Sequence, residues 1–194
     1  MSRPRTLILA SIVWVVFFLV SSAPAAAFAQ TESFESGFGA WVPDADVPID
    51  PNTGQPVEWH IVRSTVRAFQ GIWSLDYHLN GGQDDGTIWV ERSVPVGMTT
   101  VTTVHIDFYM YSSVKARTNQ WAVVAYAGVA NPENESQFAV IGTTNYDVGW
   151  LIYRYDTTVA TPGPITSIWV AFGYSVTWEA VRTDYFDYVT VTTS

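Results

Sequence analysis

The sequence predicts an all-β protein, an antiparallel sandwich or barrel of about ten strands in a single domain. Three observations carry this. Apolar and polar residues alternate with a period of two in short runs, clusters of Gly, Pro and Asn separate the runs, and no segment keeps a helical period. The composition agrees: the chain is poor in Lys and Leu and rich in Val, Thr, Tyr and Trp, whose branched or flat side chains pack well on a pleated surface.

In chain order, residues 1–29 read as a secretory leader. Arg3 and Arg5 precede the apolar run Leu7 to Val20, and Ala27-Phe28-Ala29 offers small residues for cleavage before Gln30. The run falls short of the roughly 20 residues of a spanning helix, with an uncleaved anchor as the alternative. The domain then occupies residues 30–194, secreted or extracellular, with no membrane span after leader cleavage.

The first strand is expected around Phe34. The following runs are Trp59 to Val66, Trp73 to Leu79, Thr87 to Val94, Val101 to Tyr111, Trp121 to Ala130, Gln137 to Ile141, Trp150 to Tyr155, Ile165 to Ser175 and Tyr185 to Thr192. Between them stand Asn80-Gly81-Gly82, Pro95-Val96-Gly97, Asn131-Pro132-Glu133-Asn134 and Thr161-Pro162-Gly163-Pro164. The longest irregular stretch is Val42 to Glu58, with four prolines and Asp44, Asp46 and Asp50.

Alternation assigns faces. Val104, Ile106, Phe108 and Met110 form an apolar side, with His105, Asp107, Tyr109 and Tyr111 opposite. Ile88, Val90 and Val94 read as core, leaving Trp89 and Glu91 outside. Trp73, Leu75, Tyr77 and Leu79 face inward, with Ser74, Asp76 and His78 outside.

The chain has no cysteine, so stability must come from a core or a metal. Losing the two leader arginines leaves seven basic residues against eighteen acidic ones, a net charge of −11. Phosphate backbones and anionic membranes are poor partners for such a surface. The single lysine, Lys115, and scattered arginines leave no nucleic-acid footprint.

Two segments carry unusual chemistry: Phe34-Glu35-Ser36-Gly37 with Trp41, and Tyr185-Phe186-Asp187-Tyr188-Val189. Each puts a carboxylate into an apolar strand, which is costly unless a cation neutralises it. A shared cation, most simply structural Ca2+ on Glu35 and Asp187, satisfies both. Ordinary turn or ion-paired carboxylates are the alternative.

With Gly71-Ile72-Trp73-Ser74-Leu75 between them, these segments resemble the calcium-stabilised jelly-roll modules of the galactose-binding-like and carbohydrate-binding-module type. The resemblance spans almost the whole mature chain. It implies a jelly-roll β-sandwich in which calcium ties the first strand to the last through Glu35, Asp187 and main-chain carbonyls, with Glu32 and Asp184 as substitutes if the register slips. It also implies a binding role without choosing the ligand. Tyr188 departs from the pattern, standing where a smaller polar residue is common, and Val42 to Glu58 is longer than usual.

A sugar ring stacks its apolar face on aromatic rings while its hydroxyls bind carboxylates or arginine. Trp89 and Tyr109, beside Glu91 and Asp107 and with Arg154, are therefore the expected ligand-binding residues for a glycan or polysaccharide. Trp121 and Trp169 are weaker additions. A structural or adhesive role toward a surface protein is the first alternative, and a small polysaccharide-active enzyme using Glu91 and Asp107 the second.

Other motifs fail. An EF-hand counted from Asp44 puts Ile49 at the required glycine. His60, His78 and His105 lack zinc spacing. Gly173-Tyr174-Ser175-Val176-Thr177 lacks the second glycine of a nucleophile elbow, and there is no H-E-x-x-H. Asn134-Glu135-Ser136 is formally a glycosylation sequon.

Overall fold

The computed structural model of the full chain describes residues 27–82, 85–114, 121–144, 147–176 and 181–194. Nine strands run through them: β1 (Phe28–Glu32), β2 (Val42–Asp46), β3 (Trp59–Ser64), β4 (Ser74–Asn80), β5 (Gly86–Ser112), β6 (Trp121–Gly128), β7 (Ala139–Thr143), β8 (Gly149–Val176) and β9 (Val181–Thr193). All pairings are antiparallel, in the order β3-β4-β9-β5-β8-β6-β7, with β1 on β9 and β2 on β5.

β5 and β8 each run through turn residues that divide the expected strands. They pair along their whole length, and the register shifts only between Pro95 and Thr99 and between Thr99 and Val101. Pro95-Val96-Gly97 and Thr161-Pro162-Gly163-Pro164 therefore bend these strands instead of ending them, as bulges and prolines do at sheet corners.

The bend folds one sheet into two layers. The first contains β3, β4, β9, residues 101–112 of β5 and 149–160 of β8. The second contains β2, residues 86–95 of β5, 167–176 of β8, β6 and β7. Their inner faces meet: Phe172 stacks on Phe108 with centroids 4.7 Å apart, and Tyr174 Oη donates to the Tyr77 carbonyl at 2.8 Å. Ile88, Val90, Val104, Ile106 and Phe108 all lie in the core, as their alternation requires. The expected jelly-roll sandwich is the fold observed.

Local expectations shift. Phe34 and Glu35 follow β1 instead of lying in a strand, and Trp73 precedes β4. The start of Val42 to Glu58 is an edge strand, because Pro43 and Ala45 alternate inward against β5. The remainder closes on itself through an Ile49–Pro56 bridge and the Asp50 N–H on the Gln55 carbonyl. Gln137 ends a 3₁₀ turn, Glu135–Gln137, before β7.

Most of the expected leader, residues 1–26, lies outside the described residues. Phe28 and Ala29 belong to β1, paired with Thr193 and Thr192. Among the described residues, no helix is long and apolar enough to cross a membrane.

Candidate ligand-binding face

The outer face of the first layer is aromatic. Antiparallel register sets Val62, Asp76, Tyr185, Tyr111 and Trp150 side by side across β3, β4, β9, β5 and β8. Tyr111 meets Trp150 edge-on at 5.5 Å and Tyr185 at 6.3 Å. Tyr111 and Trp150 are half-buried, and Tyr185 is 9% exposed. In the neighbouring rows, Tyr109 stands between Asp187 and Ile152, while Asp107 faces Arg154 across the strands at 3.8 Å.

Polar groups border the rings. His60 and His78, paired in register, stack with centroids 4.7 Å apart. His60 Nε2 lies 3.6 Å from Asp76 Oδ1. Burial raises the proton affinity of Asp76, opposed by the two histidines, and burial together with His60 pushes His78 below its ordinary value.

A strap of residues 65–73 crosses this face, held by the two carboxylates. Asp187 Oδ2 accepts the N–H groups of Phe69 and Gln70 at 2.7 and 2.9 Å, and Oδ1 accepts that of Tyr188 at 2.6 Å. Glu35 Oε1 accepts the N–H groups of Ile72 and Trp73 at 2.9 and 2.8 Å. Ser74 Oγ donates to the Arg67 carbonyl. A Cβ on Gly71 would stand 2.3 Å from Glu35 Oε1, and its φ is +75°, so only glycine lets the strap close.

So anchored, the strap lays Phe69 flat on Tyr109, with centroids 3.6 Å apart and planes 13° apart, and sets it edge-on to Trp150 at 5.7 Å. The Arg67 guanidinium lies over the Tyr111 ring at 4.9 Å. Phe69 remains 41% exposed.

The backbone is strained beside both carboxylates. Phe34 has φ +59° and Tyr188 φ +50°, a region costing non-glycine residues about 1–3 kcal/mol. At Tyr188 the strain belongs to a bulge: Asp107 pairs with Thr190 but Tyr109 with Asp187. The extra residue lets Phe186, Val189 and Val191 all face the core while Asp187 faces the strap.

Glu35 and Asp187 thus converge as the sequence suggested. Burial raises the proton affinity of Asp187, its three N–H donors lower it, and the nearby Glu35 charge raises it further. Two adjacent carboxylates held by neutral donors fit a hard divalent cation in charge. Among the described residues, no group of three or more His, Cys, Asp or Glu side chains is placed to hold a metal, and the Phe34 and Glu35 carbonyls accept from the Arg63 guanidinium at 2.8 and 2.7 Å. The substitutes do not join: Glu32 Oε1 accepts the Phe34 N–H, and Asp184 turns inward near Arg182.

The second layer corrects part of the expected site. Trp89 does lie outside the aliphatic core, but it is 0% exposed and Glu91 4%. Phe138 packs on the Trp89 ring at 4.9 Å, and Trp89 Nε1 donates to Glu91 Oε2 at 2.7 Å. The cover is the β6–β7 connection, shaped by the Asn134 capping box. Neither side chain can meet a glycan in this arrangement. Glu91 and Asp107, on opposite outer faces, cannot act as a pair across one cleft. Trp121 is a core residue and Trp169 is half-buried on the second layer.

Of the residues the sequence singled out, Asp107, Tyr109 and Arg154 share the first-layer face. Alternation had placed Tyr111 and Asp76 outward without assigning them a role. Trp150 and Tyr185 opened expected strands, while Phe69 carried no signal, because loop residues have no periodicity to read.

No protein-family model and no curated protein matches the chain. Solved structures share the fold. The N-terminal CBM22-1-CBM22-2 tandem domain from Paenibacillus barcinonensis Xyn10C matches with TM-score 0.51 and 16% identity over 90% of this chain and 52% of that one. A xylan-binding domain from CBM 22 gives 0.48 and 13% over 84% and 92%. TmCBM61 in complex with beta-1,4-galactotriose gives 0.43 and 12% over 82% and 92%.

Proposed function

We propose that the protein is a non-catalytic, extracellular polysaccharide-binding module whose ligand lies on the outer face of the first layer. One observation carries this reading: Trp150, Tyr111 and Phe69 form a half-exposed aromatic surface bordered by Asp76, Asp107, Arg154 and Arg67. Rings supply the apolar contact and the charged groups the hydroxyl contacts that a sugar requires. The acidic chain favours a neutral glycan over a polyuronate or sulfated one. The ring planes of Phe69 and Trp150 are inclined by 64° and those of Tyr111 and Trp150 by 66°, which suits a single twisting chain better than a flat crystalline surface.

The test is affinity electrophoresis against a panel of soluble neutral and acidic polysaccharides, comparing wild type with Trp150→Ala. Retardation by a neutral polymer that Trp150→Ala abolishes supports the reading. Equal mobility of the two proteins throughout defeats it.

Calcium belongs to the same proposal as a structural partner of Glu35 and Asp187, supported by their convergence and the backbone strain beside each. A second reading, adhesion to a surface protein, is favoured by one observation. Val62, Val66 and Ile72 are 46%, 67% and 66% exposed beside the edge strand β3.

A further inference from the structure

The carboxylate pair and the ring face are joined by one short piece of backbone. Four consecutive-region N–H groups, those of Phe69, Gln70, Ile72 and Trp73, end on Asp187 and Glu35. The side chains carried by this stretch, Arg67 and Phe69, are the ones that lie on Tyr111 and Tyr109. The strap's other holds lie at the surface: Ser74 Oγ donates to the Arg67 carbonyl, Arg63 lies over the Trp73 ring at 4.1 Å, and Phe69 and Arg67 stack on the face, while Val66 and Ile72 are 67% and 66% exposed and add little apolar burial.

We infer that Glu35 and Asp187 are positioning residues of the recognition face, fixing the strap so that Phe69 and Arg67 form its upper surface. The inference rests on the proposed glycan reading for its functional meaning, but the positioning itself is a matter of hydrogen bonds. Asp187 accepts at both carboxylate oxygens, which a single carbonyl cannot reproduce. Glu35 uses Oε1 for both donors, so a glutamine carbonyl can replace it. A hydrogen-bond anchor and a purely ionic one therefore differ: the first tolerates Glu35→Gln and the second does not.

Arg67 makes strap opening measurable without any glycan, because its exposed side chain is a trypsin site. The measurement is the rate of cleavage after Arg67 by native-state trypsin digestion with mass spectrometry, in chelator so that no cation contributes. Circular dichroism establishes that each variant is folded at the assay temperature. Asp187→Ala is expected to raise the rate about tenfold or more, the scale of losing a buried acceptor, and Glu35→Ala, whose acceptor is exposed, by a smaller factor of about threefold or more, whereas Glu35→Gln stays near wild type. Polysaccharide affinity should fall in the two alanine variants about as far as in Phe69→Ala.

Unchanged cleavage in both alanine variants overturns the inference, whatever they bind. Glu35→Gln cleaving as fast as Glu35→Ala overturns the hydrogen-bond anchor. Faster cleavage with undiminished affinity overturns the link to recognition. If wild type binds no polysaccharide while cleavage responds as expected, the proposed function fails and the positioning role is supported.

Discussion

Phe69 lies on Tyr109 as a second tier of the sheet face, its ring 3.6 Å above and inclined by 13°. Because Phe69 is the more exposed partner, it meets a ligand first. Phe69→Ala should weaken polysaccharide binding about tenfold or less, the 0.5–1.5 kcal/mol of one aromatic stack. Isothermal calorimetry measures the loss. The unfolding midpoint should fall only modestly, in line with the loss of about 0.5–1.5 kcal/mol from the stack on Tyr109, as the ring lies outside the core cluster.

Trp89→Ala makes the opposite prediction. This ring is fully buried against Phe138, so its removal leaves a cavity and takes one of the donors from the buried Glu91 carboxylate, which keeps that of Asn131. Stability should fall by about 3–5 kcal/mol in urea unfolding. Affinity per folded molecule should remain that of wild type.

Arg154→Ala removes an exposed ion pair with Asp107. Stability should change by less than about 1 kcal/mol, since water screens the pair. A loss of polysaccharide affinity at constant unfolding midpoint would place Arg154 against the ligand, and unchanged affinity would restrict the ligand to the rings nearer Trp150.

Acidity should favour the fold through Asp184. Burial raises its pKa to about 6, opposed by Arg182 and by the Ser113 N–H, and its Oδ2 finds no hydrogen-bond partner. The native state therefore holds this proton where the unfolded chain, with a pKa near 3.9, has released it. This contribution to stability is full below about pH 4 and is lost as pH rises through about 6. In urea unfolding at pH 4 and pH 7, Asp184→Asn should gain relative to wild type at the higher pH. A pH-independent difference between the two proteins contradicts the assignment.

If calcium binds Glu35 and Asp187, thermal unfolding should shift upward in calcium and return in chelator. Saturation at 100 times the dissociation constant corresponds to about 2.7 kcal/mol. Glu35→Gln should reduce the shift, because it removes one of two charges. Identical melting curves in calcium and chelator would remove the cation from this protein.

Much of the molecule was legible in the chain. Period-two alternation along Val104 to Tyr111 and Thr87 to Val94 determined the strands and the faces of their side chains, because a pleated backbone leaves each residue only two directions. The same rule could have flagged the Tyr188 bulge, since Phe186 and Val189 are both apolar but fall on opposite parities. The burial argument held for Asp187, a carboxylate among apolar neighbours that meets three N–H donors, whereas Glu35 lies exposed outside any strand and needs no such compensation.

Only the tertiary structure decided which outward side chains meet solvent. Trp89 and Tyr109 carried the same signal, yet the β6–β7 connection buries one and the strap covers the ring of the other with Phe69, which takes its place at the surface. Alternation fixes the side of a strand, whereas exposure depends on loops whose paths follow from hydrogen bonds across 117 residues, as between Gln70 and Asp187. For that reason the two carboxylates, legible as a matter of stability, became the anchors of the recognition face only once the chain was folded.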